Sequence, residues 1–133
     1  MRRFIGLVVL FAFSSPLQVP IQQPSSEVNM ERNALDKWMT LLAEAESGND
    51  ATLKIVDTNR RYSYGCLQFQ FRTFRQYARE YALFEEFDDR GLRREIYNCG
   101  SQRKLATMMI EDDYDNWRHW RNTVKKIGLP PRT

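Results

Sequence analysis

The sequence predicts a mostly α, single-domain protein of about five helices with little or no β structure. Three observations predict it. Apolar residues recur at three- and four-residue intervals in successive segments from Leu35 to Ile127, as amphipathic helices require. Only Leu53–Val56 is a short β-prone run. At 133 residues, 42% hydrophobic and 13% aromatic, with Trp38, Trp117 and Trp120, the chain has bulk for one core and little more.

The elements follow in order. Residues 1–14 (MRRFIGLVVLFAFS) place two arginines before the apolar run Phe4–Phe13, with the small residues Ala12 and Ser14 behind it. The run is short for a bilayer span and reads as an export signal; a retained anchor or a buried N-terminal strand is the alternative. Residues 15–29 (SPLQVPIQQPSSEVN) are rich in Pro, Ser and Gln without helical period, and read as a leader. The domain is expected over 30–133. Its first helix shows Leu35, Trp38, Met39, Leu42, Ala45 and Glu46 on one side, with Asn33 as N-cap and Gly48 as its stop. Residues 49–65 read as a loop holding a small hairpin. A second helix is expected from Thr73, which has Gln76 three residues on as a capping box. A weaker helix carries Leu92 and Ile96, a fourth Leu105–Ile110, and a fifth spans Asp113–Ile127 before Gly128 and Pro130-Pro131.

Charge narrows the partners. Without Arg2 and Arg3, 18 basic residues face 17 acidic ones, a formal +1. Such a near-neutral surface argues against nucleic acid. Export would take the chain to a secreted or periplasmic location with no stable membrane insertion once the signal is cleaved. There Cys66 and Cys99 are expected to pair, two buried free thiols being the alternative. Two cysteines and one histidine, His119, lack metal-ligand spacing, and no metal or cofactor is expected. A monomer is expected.

The chemistry concentrates in Leu41–Asp50 (LLAEAESGND). Residues two apart on a helix point about 200° from each other, so Glu44 and Glu46 cannot share surroundings. Glu44 falls on the polar side with Lys37 and Thr40. Glu46 follows Met39 and Leu42 toward the core or a cleft in it. Burial disfavours the carboxylate, and the negative end of the helix dipole pushes its pKa the same way. A carboxylic acid kept neutral near pH 7 suits a general acid; a capping glutamate reaching into water is the bland alternative.

The segment Ser63–Gln70 (SYGCLQFQ) adds a second motif. A helix ending in Glu-Ser-Gly, then a loop, then Ser-Tyr-Gly-x-Leu-Gln-Phe resembles the lytic transglycosylase and goose-type lysozyme superfamily. Glu46 precedes Gly65 by 19 residues, close to the family spacing. The Gly-Cys-Leu-Gln here departs from the family's Gly-Leu-Met-Gln at both middle positions and keeps Gln68. The resemblance covers residues 35–75.

It implies a lysozyme-like α fold with a cleft for peptidoglycan glycan strands. Glu46 would act as acid and then base at the β-1,4 bond between N-acetylmuramic acid and N-acetylglucosamine. A 1,6-anhydro product needs only that carboxylate, whereas hydrolysis usually uses two. Asp57 and Asp50 are the candidates for a second, with turn roles as the alternative. The lyase reading is favoured; a muramidase, or a glycan-binding relative without turnover, is the alternative. Ser63, Tyr64 and Gln68 would line the cleft, Gln68 offering donor and acceptor to N-acetyl groups or to Glu46. Gly65 would allow close backbone approach or a positive φ. The family's third signature, Ala-Tyr-Asn-Ala-Gly, has a partial echo in Ile96–Gly100 (IYNCG), but ahead of the fourth helix rather than after it. That stretch reads as a turn delivering Cys99. Tyr114 and Trp117, at the corresponding place in chain order, are candidates for the far wall of the cleft, with core packing as the alternative; Trp120 reads as core.

Overall fold

Helix α1 runs from Ser26 to Ser47 in the computed structural model, which describes residues 10–21 and 25–132. Its N-cap position is Ser25, not Asn33, so the helix takes in the end of the expected leader. Glu27 in its first turn complements the N-terminal dipole. Residues 26–34 are all exposed, so no packing imposes an apolar period on them and the pattern could not reveal them. Farther along, Leu35, Trp38, Met39, Leu42 and Ala43 are buried, while Ala45 is exposed. The export-signal reading rests on residues 1–14, of which 1–9 lie outside the described residues. Residues 10–21 have no regular secondary structure and are exposed.

The loop after α1 folds into a three-stranded antiparallel sheet in the order β1 (Lys54–Val56), β2 (Tyr62–Tyr64), β3 (Phe69–Gln70). Ile55 pairs with Ser63 and Tyr64 with Phe69. Helix α2 spans Phe71–Glu80, starting ahead of Thr73. Its N-cap, Gln70, makes no side-chain cap; its Nε2 donates to Asp57 and its Oε1 accepts from Asn59 Nδ2 at 3.2 Å. Helices α3 (Asp89–Glu95) and α4 (Cys99–Asp112) follow, each capped by a side chain, Asp88 to Gly91 N and Asn98 to Ser101 N.

The expected fifth helix is two elements, a 3₁₀ helix from Tyr114 to Trp120 and α5 from Arg121 to Ile127. Asp113 caps the first through Asp115 N, and the chain tightens there before α5 begins. Phe74, Leu42, Met39, Leu92, Leu105 and Met109 form the fully buried centre of one core. The result is a mostly α domain with a small sheet packed beside α2. Cys66 and Cys99 are disulfide-bonded with Cα atoms 5.5 Å apart. Among the described residues no helix is long and apolar enough to cross a membrane.

Candidate active site

Glu46 sits in the last turn of α1 because Gly48 stops the helix behind it. Gly48 adopts φ 63°, and its N–H and that of Asn49 return to the Glu44 and Ala43 carbonyls. This left-handed end is favoured at glycine. The neighbouring Ser47 hydroxyl donates across to Cys66 O at 2.8 Å, a closer contact than its own-helix partner Ala43 O at 3.1 Å, and accepts from Asp50 N. The end of α1 is thereby fastened to the loop between β2 and β3.

That loop is tied from within. Gln102, fully buried on α4, donates to Tyr64 O at 2.7 Å and Ile96 O at 2.5 Å, and accepts from Leu67 N at 2.7 Å. Gly65 has φ 70°, and a Cβ there would lie 2.8 Å from Gln102 Nε2 and 3.2 Å from Ile96 O. Glycine is therefore required on both grounds anticipated, conformation and close approach. Trp120 adds a bond from Nε1 to Leu67 O at 2.9 Å. The Cys66–Cys99 bridge closes the same knot covalently.

Over this floor lies a cleft of about 300 Å³. Glu46, Asp57, Ser63 and Gln68 line it from one stretch of chain, and His119 to Thr123 from another. An adjoining polar recess of about 230 Å³ shares Asp57, Ser63, Gln68, His119 and Trp120 and extends to Gln70 and Thr73, so the two make one groove. Asp57 opens the β1–β2 turn, with its N–H on Arg61 O and its own carbonyl accepting from Arg60 N. Its Oδ2 accepts from the Ser63 hydroxyl and, at 2.7 Å, from Gln70 Nε2. Gln68, at φ 53°, gives its amide to Gly65 O at 2.8 Å; its contact with the cleft is as lining, not as a bond to Glu46.

Glu46 is partly buried, and Thr123 Oγ1 donates to its Oε1 at 2.6 Å. Desolvation raises its pKa above the ordinary carboxylate value; the Thr123 bond opposes this, the Asp57 charge adds to it, and Lys126 opposes it more weakly. On the other wall, His119 stands 3.3 Å from the Tyr77 hydroxyl through Nε2, and desolvation lowers its pKa. This favours the uncharged imidazole. The cleft therefore holds a protonatable acid, a hydrogen-bonded carboxylate, neutral polar groups and the Arg121 cation, a set suited to proton transfer at a hydroxyl-rich ligand. Among the described residues no cluster of His, Cys, Asp or Glu could hold a metal ion.

No protein-family model matches the chain, and neither a curated protein nor a solved structure matches it. The functional reading rests on geometry and on the sequence motifs.

Of the residues singled out in the sequence, the fold brings Glu46, Asp57, Ser63 and Gln68 together. Tyr64, Tyr114 and Trp117 lie outside this cleft. Successive strand residues face opposite ways, so with Ser63 turned inward Tyr64 packs edge-on against Tyr97 instead, under Lys54. Tyr114 donates to Pro130 O at 2.7 Å, fixing the chain end. Trp117 is partly buried against the core and edges a separate groove. Asp50 is an exposed turn residue bonded to Thr52. Trp120 is core, as read. Thr123 and Gln102 were not anticipated. Thr123 gives no local signal. Gln102 does, because it falls on the apolar face of α4 with Leu105, Ala106 and Met109, and a buried amide there must find partners.

Proposed function

We propose that this chain cleaves peptidoglycan glycan strands at the β-1,4 bond between N-acetylmuramic acid and N-acetylglucosamine, with Glu46 as general acid and then base. The observation that carries the reading is the partly buried Glu46 carboxyl, its pKa raised by desolvation, at the edge of a polar groove shared with Gln68 and Asp57. The motif resemblance and the disulfide support an exported place of action.

Because Oε1 accepts from Thr123, the acidic proton belongs on Oε2. Oε2 delivers it to the glycosidic oxygen as the bond to the muramic C1 breaks, leaving an oxocarbenium-like sugar. The resulting carboxylate removes the proton of the muramic C6 hydroxyl, whose oxygen closes on C1. Glu46 ends protonated again, and no water is consumed. One observation favours a second reading, hydrolysis: Asp57 lines the same cleft, held by Ser63 and Gln70, where it can orient a water toward C1.

Mass spectrometry of muropeptides released from purified cell walls decides. Anhydro ends support the lyase, and reducing ends, one water heavier, support the hydrolase. Glu46→Gln should lower release by about 10²–10⁴-fold in either case. Wild-type chain that releases nothing, or a Glu46→Gln variant as active as wild type, overturns the proposal.

A further inference from the structure

A groove of about 560 Å³, larger than the Glu46 cleft, lies between the 3₁₀ helix and the chain leaving α5. Its floor is Trp117, Val124 and Leu129, with Leu129 57% exposed. Its rim is Arg118, Arg121 and Lys125. Residues 116–132 hold five basic side chains and no acid. Arg118 makes an exposed ion pair with Asp115 at 3.4 Å, which contributes little in water. Arg121 and Lys125 form no ion pair among the described residues.

We propose that this groove is a docking surface for an anionic lipid bilayer. An apolar floor holding a tryptophan and an exposed leucine, bordered by cations, is how interfacial segments meet a membrane: the apolar groups enter the acyl boundary and the cations meet lipid phosphates. An acidic polypeptide would satisfy the rim but leave Trp117 and Leu129 in water, so the combination favours lipid. The inference does not depend on the glycan-cleaving reading. Arg121 lines both the groove and the Glu46 cleft, so a docked chain holds that cleft beside the bilayer.

The test uses the full chain with phosphatidylcholine vesicles, with and without phosphatidylglycerol, and a matched set carrying brominated acyl chains. Anionic vesicles should bind it in a salt-sensitive way, and bromine should quench Trp117; the quenching should disappear in Trp117→Phe, because Trp38 and Trp120 are each only 5% exposed. Reversing two exposed rim charges, Arg118→Glu with Lys125→Glu, should weaken binding at least about tenfold. Residues 1–14 are common to every variant, so the differences report the groove. Equal binding to neutral vesicles, unchanged binding by the charge-reversed variant, or absence of Trp117 quenching overturns the proposal. The quenching of wild-type chain requires no variant to fold.

Discussion

Glu46, Asp57, Ser63 and Gln68 reach the cleft from one continuous stretch, α1 through the small sheet, whereas His119 to Thr123 arrive from the junction of the 3₁₀ helix and α5. The first wall carries the acid and the second carboxylate. The second carries Thr123, whose hydroxyl holds Glu46 Oε1 and opposes the rise in its pKa. They are also fastened differently. The first is pinned by a disulfide, by buried Gln102 and by Ser47; the second rests on Trp120 packing edge-on against Phe69 and on the Nε1 bond to Leu67 O. The acid lies on the disulfide-tied wall, and a group that adjusts its pKa comes from the other.

The largest effect should come from cutting the covalent fastening. The bridge joins residues 33 apart, and loop-closure entropy gives it about 3–4 kcal/mol. Reduction, or Cys66→Ser with Cys99→Ser, should lower unfolding free energy by that order in urea. Activity on cell walls should also fall under conditions where the chain is still folded, because the Cys66 carbonyl anchors Ser47 beside Glu46. An unchanged midpoint with full activity would break the contrast between a disulfide-tied and an adjusting wall.

Gly65→Ala sharpens the same contrast without touching the disulfide. Alanine at φ 70° is strained, and its Cβ would press Gln102 Nε2. The expected loss is about 2–3 kcal/mol, combining left-handed strain with weakening of a buried hydrogen-bond knot. Urea denaturation measures it. A loss near zero would mean that Gln102 has room to move and that the floor is looser than its bonds indicate.

The contrast also explains what could be read from the chain. The first wall was legible because an acid on an apolar helix face and the Ser63–Gln70 segment are local patterns. The mostly α content was legible from periodicity for the same reason. The true start of α1 was not, since residues 26–34 touch no core and nothing enforces a period there. The start of α2 was misread because Thr73–Gln76 satisfies a capping pattern while the fold gives Gln70 to Asp57. The break at Trp120 is invisible because 3₁₀ and α turns both bring residues three apart to one side. Thr123 lies 77 positions from Glu46, and a pairing at that separation leaves no trace in spacing.

The smallest effect tests the second wall directly. Thr123→Val removes a donated hydrogen bond, at an expected cost of about 1 kcal/mol in stability. Its sharper consequence is in pH dependence. The hydroxyl favours the charged carboxylate, so without it the folded pKa of Glu46 should rise further, desolvation and the Asp57 charge being opposed only by Lys126. The sign follows from linkage. A carboxyl whose folded pKa exceeds its unfolded value contributes stability below the unfolded pKa and loses it as pH rises through the folded pKa. In Thr123→Val that loss should move to higher pH, and the limb of kcat/KM that requires protonated Glu46 should move the same way. His119 and Arg121 also border the cleft, but neither is altered by the substitution. Thr123→Ser keeps the hydroxyl and should restore the wild-type profile. If Val lowers activity at every pH without moving the limb, Thr123 only packs against Glu46, and the state of the acid is set within its own wall.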